Sequence, residues 1–314
     1  MNTASDAAPG SFGSPLNSNG TTPASARETR PLYWSVRREV WENHSIYVAP
    51  LAVASVLLFG FLISTIHLPA RMRARLALGA AHQRAAIQMP YDIAAFLILP
   101  TAFIVAVFYC LDALHGERRD RSVLFWKSMP VSDLTTVLSK GGIPLVVLPL
   151  VVFVITVVTQ LIMLLVNTLA LVGNRPGLAA LWSQLPLFKM DLALLYALVA
   201  MALWLAPIYG WLLVVSAGVR RATFLWAVLP PLGVAIFEKV AFDTSHFFRM
   251  LGWRLMGWFP LAFIPQPKGS VPVDPLTTLS PGKFLSTPGL WTGLVVAAVL
   301  LVAAGRLRRY RGPI

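Results

Sequence analysis

The residues best suited to a chemical or binding role are concentrated in one polar block, HGERRDRSVLFWKSMPVSDLTTVLSK, between His115 and Lys140. Charges of both signs fill positions 117–121, and a short apolar run that ends in an aromatic pair follows at 123–126. A charged face beside an apolar wedge is what a short helix needs to dock in a cleft on another protein. The alternative interpretation is a solvated loop that leads into an ordinary helix cap.

The second half of the polar block predicts the start of a helix. Pro130 breaks the chain, and Ser132 and Asp133 follow shortly after it. Either side chain can accept hydrogen bonds from the free N–H groups of the next helical turn, and the carboxylate also complements the helix dipole. We therefore expect Ser132 or Asp133 to cap the helix after the block.

Sequence motifs for catalysis, nucleotide binding and metal binding are absent. Gly282 and Lys283 are followed by Phe284, so no G-x-x-x-x-G-K-[ST] is present and the chain cannot be a P-loop ATPase by itself. No H-E-x-x-H occurs, and the five histidines have no ligand spacing. Cys110 is the only cysteine, which excludes an intrachain disulfide. We expect no catalytic residue, no metal and no bound cofactor in this chain.

Six long windows without Asp, Glu, Lys or Arg surround the polar block. The 314 residues are 57% hydrophobic and 12% charged, whereas a soluble domain typically has about 25% charged residues. A hydrocarbon core of about 30 Å is crossed by roughly 20 apolar helical residues. The windows therefore predict an all-α membrane protein with six transmembrane helices, and we expect the fifth, which holds Pro230-Pro231, to be kinked or to extend past Glu238. They cover 46–66, 93–111, 141–174, 192–219, 222–237 and 289–305.

Two segments precede the first window. Residues 1–30 are rich in Ser, Ala, Thr, Asn, Gly and Pro without an apolar stretch, which predicts a disordered cytoplasmic tail and not a signal peptide. In 33–47, aromatic and apolar residues recur at helical spacing, and Arg38, Glu39 and Glu42 take the other side. This pattern predicts an amphipathic elbow helix in contact with membrane lipids. An aromatic belt at the start of the first span is the alternative.

Polar residues within the third window form a stripe. Thr156, Gln160, Met163 and Asn167 follow an i, i+4, i+7, i+11 spacing, so they share one face of a helix. Polar side chains are costly against lipid, so this face should contact protein or water. Interhelical hydrogen bonding is one interpretation, and a substrate path or a dimer seam is the other.

The region between the fifth and sixth windows is mixed. Residues 242–265 are apolar and aromatic but include Arg249 and Arg254, which favours a re-entrant or interfacial hairpin on the outer side over a full span. The repeated prolines from Pro265 to Pro288 predict an irregular loop.

The net charge of +13 fits basic loops on the cytoplasmic side of a membrane better than nucleic-acid binding. With the N-terminus inside, 15 of the 26 Lys and Arg residues lie on that side, in both terminal segments, the polar block and 220–221. Arg71, Arg73, Arg75 and Arg84 lie in the first outer loop and oppose the bias. We predict that both termini are cytoplasmic.

The stretch from Tyr109 to Lys140 resembles the segment after the second helix in bacterial ABC-2 type transporter permeases. Those proteins often carry an Asp-x-Leu-x-x-Glu-Arg-x-x-x-[Ser/Thr] run after a hydrophobic residue, then a hydrophobic residue and a Ser-x-Pro-[Val/Ile]-Ser turn. The matching residues, in order, are Asp112, Leu114, Glu117, Arg118, Ser122, Ser128, Pro130, Val131 and Ser132. The Arg-rich first outer loop departs from the family pattern.

The resemblance implies a fold and a function. It implies a permease domain over 31–314, with an elbow helix, six spans, re-entrant helices between spans five and six, and a coupling loop at about 113–133. It also implies a bacterial cytoplasmic membrane, pairing with a second permease copy or a paralogue, and a separate cytosolic ATPase subunit that binds ATP and Mg. The coupling role falls on Glu117, Arg118, Arg119, Asp120, Arg121, Phe125 and Trp126.

Two other functions compete with an exporter of a hydrophobic or amphipathic substrate. A non-transporting membrane scaffold or sensor could dock a different cytosolic partner through the same polar block. An ion-coupled transporter or an intramembrane enzyme would need an essential charged residue inside a span, and the six windows contain none.

Overall fold

The structure is a computed structural model that describes residues 31–120, 132–264 and 274–310. Helices dominate these residues, and no strand is present among them apart from an isolated bridge between Phe263 and Leu279. The helices in the first half are α1 (Pro31–Glu42), α2 (Ser45–Thr65), α3 (Leu68–Leu76), α4 (Ala80–Ala113), α5 (His115–Arg119), α6 (Asp133–Gly142) and α7 (Leu148–Ala170). Those in the second half are α8 (Arg175–Gln184), α9 (Leu187–Gly218), α10 (Thr223–Phe242), α11 (His246–Met256), α12 (Trp258–Ala262), α13 (Pro281–Leu285) and α14 (Pro288–Tyr310).

Six helical segments of the described chain are long and apolar enough to cross a membrane, which confirms the predicted all-α class and the number of spans. They contain α2, α4, α7, α9, α10 and α14. In the third, α6 continues into α7 through one π-helical turn at Ile143–Val147, where Pro144 lacks a backbone donor. The fifth, α10, extends past Glu238 as expected and ends before Asp243, whose backbone is left-handed with φ of 50°.

The core of the bundle is formed around α9. Trp204, Leu198 and Leu213 of this helix are almost fully buried, because α4, α7 and α14 pack around it. It approaches α14 closely at Gly210, where an added Cβ would lie 3.1 Å from Cβ of Leu300. The absence of a side chain at Gly210 therefore permits the two helices to pack tightly.

The predicted first outer loop, which connects the first two spans, contains the helix α3. Leu68 and Met72 give α3 a buried face that packs against Leu181 of α8. Burial of these apolar side chains stabilises the helix because propensity alone seldom supports so short an element. The proline-rich loop is also partly regular, with a 3₁₀ turn at Pro275–Thr278 and α13.

The amphipathic segment before the first span forms α1, whose placement in the headgroup plane stays a prediction. Its exposed surface carries Trp34 and Trp41, and the guanidinium carbon of Arg37 lies 5.4 and 5.6 Å from the two ring centroids. Between spans five and six, α11 and α12 occupy the region predicted to be a hairpin. Whether this pair re-enters the membrane also stays a prediction.

The contact between α9 and α14 predicts the effect of a larger side chain. Gly210→Leu should destabilise the protein by about 1–3 kcal/mol, because a packed interface does not accept extra methylenes without strain. Gly60→Leu is the matched control, since Gly60 also lies in a transmembrane helix but has nothing within 4 Å of an added Cβ. Thermal unfolding of the purified variants in detergent measures the difference, and equal melting temperatures would contradict the packing described here.

Candidate functional site

The short helix α5 directly follows the second span and is fixed to α9 by Ser216. The Ser216 hydroxyl accepts hydrogen bonds from the backbone N–H of Leu114 at 3.1 Å and of His115 at 2.9 Å. The same hydroxyl donates to the carbonyl of Leu111 at 2.9 Å. Ser216 is fully buried, and it satisfies backbone groups that the break between α4 and α5 leaves without helical partners.

Arg118 makes a second connection between α5 and α9. Its side chain is buried, and its Nη1 donates to the carbonyls of Ala217 at 2.9 Å and Val219 at 3.2 Å. These carbonyls lie at the C-terminal end of α9, where the last turn of a helix has free acceptors and a cation is favoured by the dipole. Arg118 thus caps the fourth span from a different segment of the chain.

Glu117 turns into the bundle from the same helix and pairs with two cations. Its Oε1 lies 3.2 Å from Nζ of Lys140 on α6, and its Oε2 lies 3.0 Å from Nη2 of Arg308 on α14. The side chain of Glu117 is 10% exposed, and those of Lys140 and Arg308 are 3% and 4% exposed. These are therefore buried ion pairs that join three separate helices.

Lys140 also binds Glu39 of α1. Its Nζ lies 2.7 Å from Oε1 of Glu39, and the hydroxyl of Tyr109 donates to Oε2 of the same carboxylate at 2.8 Å. We call Glu39, Glu117, Lys140 and Arg308 the charge cluster. It contains two carboxylates and two cations, so its formal charges cancel, as burial in a low-dielectric interior requires.

The helix after the polar block is capped by Ser132. Its Oγ accepts a hydrogen bond from the backbone N–H of Thr135 at 3.0 Å. Asp133 follows in the first turn, and its Oδ1 lies 3.8 Å from Nη1 of Arg308. Ser132 thus fixes the start of α6, while Asp133 lies at the edge of the charge cluster.

The predicted coupling residues that the structure describes divide into a buried pair and an exposed pair. Glu117 and Arg118 are buried and bind other parts of the bundle, whereas the side chains of Arg119 and Asp120 are 62% and 64% exposed and contact each other at 3.2 Å. The other predicted coupling residues lie outside the described residues. These are Arg121, Phe125 and Trp126.

Sequence reasoning did not find Glu39, Tyr109, Lys140, Arg308 or Ser216 as members of this site. Glu39 counted as part of the polar side of an amphipathic helix, and the two cations as residues that flank spans. Both cations border apolar windows, and acids are scarce in the chain, with 13 Asp and Glu against 26 Lys and Arg. That scarcity is a signal that each acid near a span has a particular partner, but it does not identify the partner.

The polar stripe of the third span faces α4 inside the described chain. Nδ2 of Asn167 donates to the hydroxyl of Tyr91 at 2.9 Å, and Nε2 of Gln160 donates to the carbonyl of Tyr91 at 3.3 Å. The hydroxyl of Thr156 donates within its own helix to the carbonyl of Val152 at 2.8 Å. The two amide side chains thus make interhelical hydrogen bonds, which is one of the two interpretations of the stripe.

A cleft of about 700 Å³ lies between α4, α9, α10, α11 and α14. Its lining is apolar apart from Arg254, and exposed side chains such as Phe224 and Phe248 line it, so it opens on the outside of the bundle. The guanidinium carbon of Arg254 lies 4.5 Å from the ring centroid of Trp204, and its Nη1 donates to the carbonyl of Gly289 at 2.9 Å. The volume is within the roughly 300–1,000 Å³ of typical small-molecule sites.

Metal-binding and nucleophilic chemistry find little support among the described side chains. Within residues 31–120, 132–264 and 274–310, no three His, Cys, Asp or Glu side chains are grouped as metal ligands. Cys110 is completely buried in α4.

No protein-family model matches the chain, and no curated protein or solved structure matches it. The contacts around α5 are therefore the basis for any functional assignment. This short helix joins buried ionic groups to an exposed polar surface at one end of the bundle.

The charge cluster predicts a large effect of removing one cation. Lys140→Met should destabilise the protein by about 3–5 kcal/mol, because it leaves the carboxylate of Glu39 buried without a cation. Adding Glu39→Gln should recover part of this loss, since residues of one network are not additive. Thermal unfolding of the single and double variants in detergent measures the coupling.

Lys239→Met is the control for the charge-cluster experiment. Lys239 and Asp243 form an exposed ion pair, with 62% and 89% exposed side chains, and exposed pairs contribute little to stability. The burial of the cluster would be contradicted if Lys140→Met and Lys239→Met lowered the melting temperature equally.

The stripe contact between α7 and α4 gives a separate prediction. Asn167→Leu and Tyr91→Phe should each destabilise the protein by about 0.6–2 kcal/mol, which is the range of interhelical hydrogen bonds in membranes. The double variant should lose little more than either single variant, because both remove the same bond. Fully additive losses in thermal unfolding would show that the two side chains act independently.

Proposed function

We propose that this chain is the membrane-spanning permease subunit of an ABC transporter that exports a substrate with ATP hydrolysed by a separate subunit. The observation that carries the proposal is the geometry of α5, a short polar helix anchored at one end of a six-span bundle. The resemblance of 109–140 to the coupling segment of ABC-2 type permeases supports the same function. ATP and Mg would be bound by the ATPase partner.

The anchoring of α5 gives a physical path for coupling. Ser216 and Arg118 tie α5 to the end of α9, and Glu117 ties it to α6 and α14. A partner that displaced α5 would therefore also displace the ends of the third, fourth and sixth spans. In this proposal Glu117 and Arg118 are positioning residues that transmit force and do not touch the ATPase.

The docking surface in the proposal begins at Arg119 and Asp120, which are exposed, and continues through 121–131. Phe125 and Trp126 would fill the ATPase groove, since burial of two aromatic side chains gives several kcal/mol at about 25 cal/mol per Å². The charged residues would mainly add specificity at the rim of the contact.

The orientation in the proposal places both termini and α5 in the cytoplasm of a bacterial cell. Exposed arginines at the end of the bundle that carries α5 support it, because cytoplasmic loops carry an excess of Lys and Arg. They are Arg220, Arg221, Arg306 and Arg309. A second permease copy or a paralogue would complete the transporter.

The substrate class in the proposal is hydrophobic or amphipathic. The cleft between α4, α9, α10, α11 and α14 supports this class, because it is apolar, opens on the lipid-facing side of the bundle and has Arg254 at its wall. The fifth span borders the cleft and is loosely packed, with Ala227 and Ala235 as its buried residues. Movement of α10 would change the width of the cleft without breaking a large core.

Co-purification tests the proposal. The tagged full-length protein is extracted from its native membrane in mild detergent, and the proteins that accompany it are identified by mass spectrometry. A soluble P-loop ATPase in near-equal amount is the expected result. A different partner, or none under conditions that preserve other transporter complexes, would favour the scaffold or sensor and contradict the exporter.

We expect substitution of the docking residues to weaken ATPase binding while the permease still folds. Phe125→Ala with Trp126→Ala should reduce the co-purified ATPase about tenfold or more, which corresponds to the loss of at least about 1.4 kcal/mol at an interface hot spot. The melting temperature of the permease should not change. An unchanged ATPase yield would remove the coupling role from this segment.

Charge reversal provides a second test with a matched control. Arg119→Glu with Asp120→Lys exchanges an exposed pair next to the docking segment and should lower the ATPase yield several-fold. Lys239→Glu with Asp243→Lys exchanges another exposed pair, at the far end of the fifth span, and should have no effect. Equal effects of the two reversals would contradict a docking surface at α5.

A further inference from the structure

Helix α3 connects the first two spans, at the end of the bundle away from α5. It begins at Leu68, and only two residues separate it from the end of the first span at Thr65. The three Cα–Cα steps from Thr65 to Leu68 reach at most about 11 Å, so the start of α3 stays close to the end of the first span. Ile66, in this link, is 73% exposed, as expected for a side chain that contacts lipid.

The packing of α3 fixes its rotation about its own axis. Met72 is 1% exposed and fits against Gly177 of α8, where an added Cβ would lie 2.9 Å from Cγ of Met72. Leu68 and Leu181 belong to the same buried cluster. Because this face is held against the bundle, the arginines of α3 have fixed positions around the helix.

Arg71 and Arg75 lie next to the buried face, one helical turn apart. Like charges at i and i+4 repel each other, and Arg75 is also partly buried near Tyr91 of α4. Burial and the neighbouring charge of Arg71 lower the pKa of Arg75 below its ordinary value. The fold therefore places two guanidinium groups close enough that the positive charge of Arg71 destabilises the charged form of Arg75.

The described part of the chain supplies no acid for these cations. No Asp or Glu carboxylate among the described residues lies within 4.0 Å of Arg71, Arg73 or Arg75, although ion pairs are formed elsewhere in the bundle. Arg84, near the start of α4, is not part of this group, because it interacts electrostatically with the carboxylate of Asp274. The pair is therefore open to an anion from outside the chain.

We propose that Arg71 and Arg75 of α3 bind the phosphate of an anionic phospholipid in the adjacent membrane leaflet. Guanidinium groups bind phosphate oxygens with paired, directed N–H donors, and two of them one turn apart can contact one headgroup. The position of α3 at the end of a span favours a lipid over a soluble anion, because the headgroup is present there at high local concentration. The site is independent of the proposed transport function and would exist in a scaffold as well.

Lipid titration monitored by native mass spectrometry tests this site. The full-length protein in neutral detergent is titrated with dioleoyl phosphatidylglycerol and, separately, with dioleoyl phosphatidylcholine, which has the same chains and no net charge. We expect roughly thirtyfold preference for phosphatidylglycerol, which corresponds to about 2 kcal/mol from two arginines near an anionic lipid. Arg71→Gln with Arg75→Gln should abolish the preference.

Two further variants keep the test decisive. Arg220→Gln with Arg221→Gln removes two exposed arginines between α9 and α10 and should leave the preference unchanged. If the double α3 variant does not fold, the single variant Arg71→Gln, at an exposed position, should reduce the preference several-fold. The inference is overturned if the wild type shows no preference, or if the folded α3 variant retains it.

A competition experiment distinguishes lipid from free anion. Inorganic phosphate at millimolar concentration should leave the bound phosphatidylglycerol in place, because it lacks acyl chains that pack beside α3. Displacement of the lipid by inorganic phosphate would overturn the assignment of a lipid site. Raising the ionic strength should weaken the phosphatidylglycerol preference, as screening of an exposed ionic contact requires.

Discussion

Lys140 occupies the position on which this end of the bundle depends. Its ammonium group lies between the carboxylates of Glu39 and Glu117, so one cation holds α1, α5 and α6 together. An unpaired charge in such a buried position would cost several kcal/mol, so each carboxylate of the cluster must keep a cation beside it in the folded protein. Arg308 adds the sixth span to the same cluster through Glu117. These buried ion pairs are not the contacts of a solvated loop, which was the alternative interpretation of the polar block.

The sequence predicted the spans well because their signal is local. Charge-free windows identify α2, α4, α7, α9, α10 and α14 without any knowledge of neighbours. The same reasoning did not identify α3, because this helix is supported by the apolar surface that Leu68 and Met72 bury against α8. That support comes from a segment about a hundred residues further along the chain, and no local pattern contains it.

The candidate site could be predicted only in part, because its contacts also come from segments that are distant in the sequence. Composition and the motif at 109–132 drew attention to Glu117 and Arg118, but the burial of these side chains follows from Lys140, Arg308 and the end of α9. The π-helical turn at 143–147 adds to the difficulty. It changes the helical phase between α6 and α7, so the face of Lys140 cannot be extrapolated from the polar stripe.

The charge cluster also imposes an order on biogenesis. Glu39 is synthesised 101 residues before Lys140, and Glu117 emerges 191 residues before Arg308. Lys140 can pair with both carboxylates once it is synthesised, but Glu117 stays without its second cation until Arg308 arrives. The end of the bundle that carries α5 can therefore close only after the final span has entered the bilayer, so a ribosome that stalls before that helix would release a chain unable to seal this end.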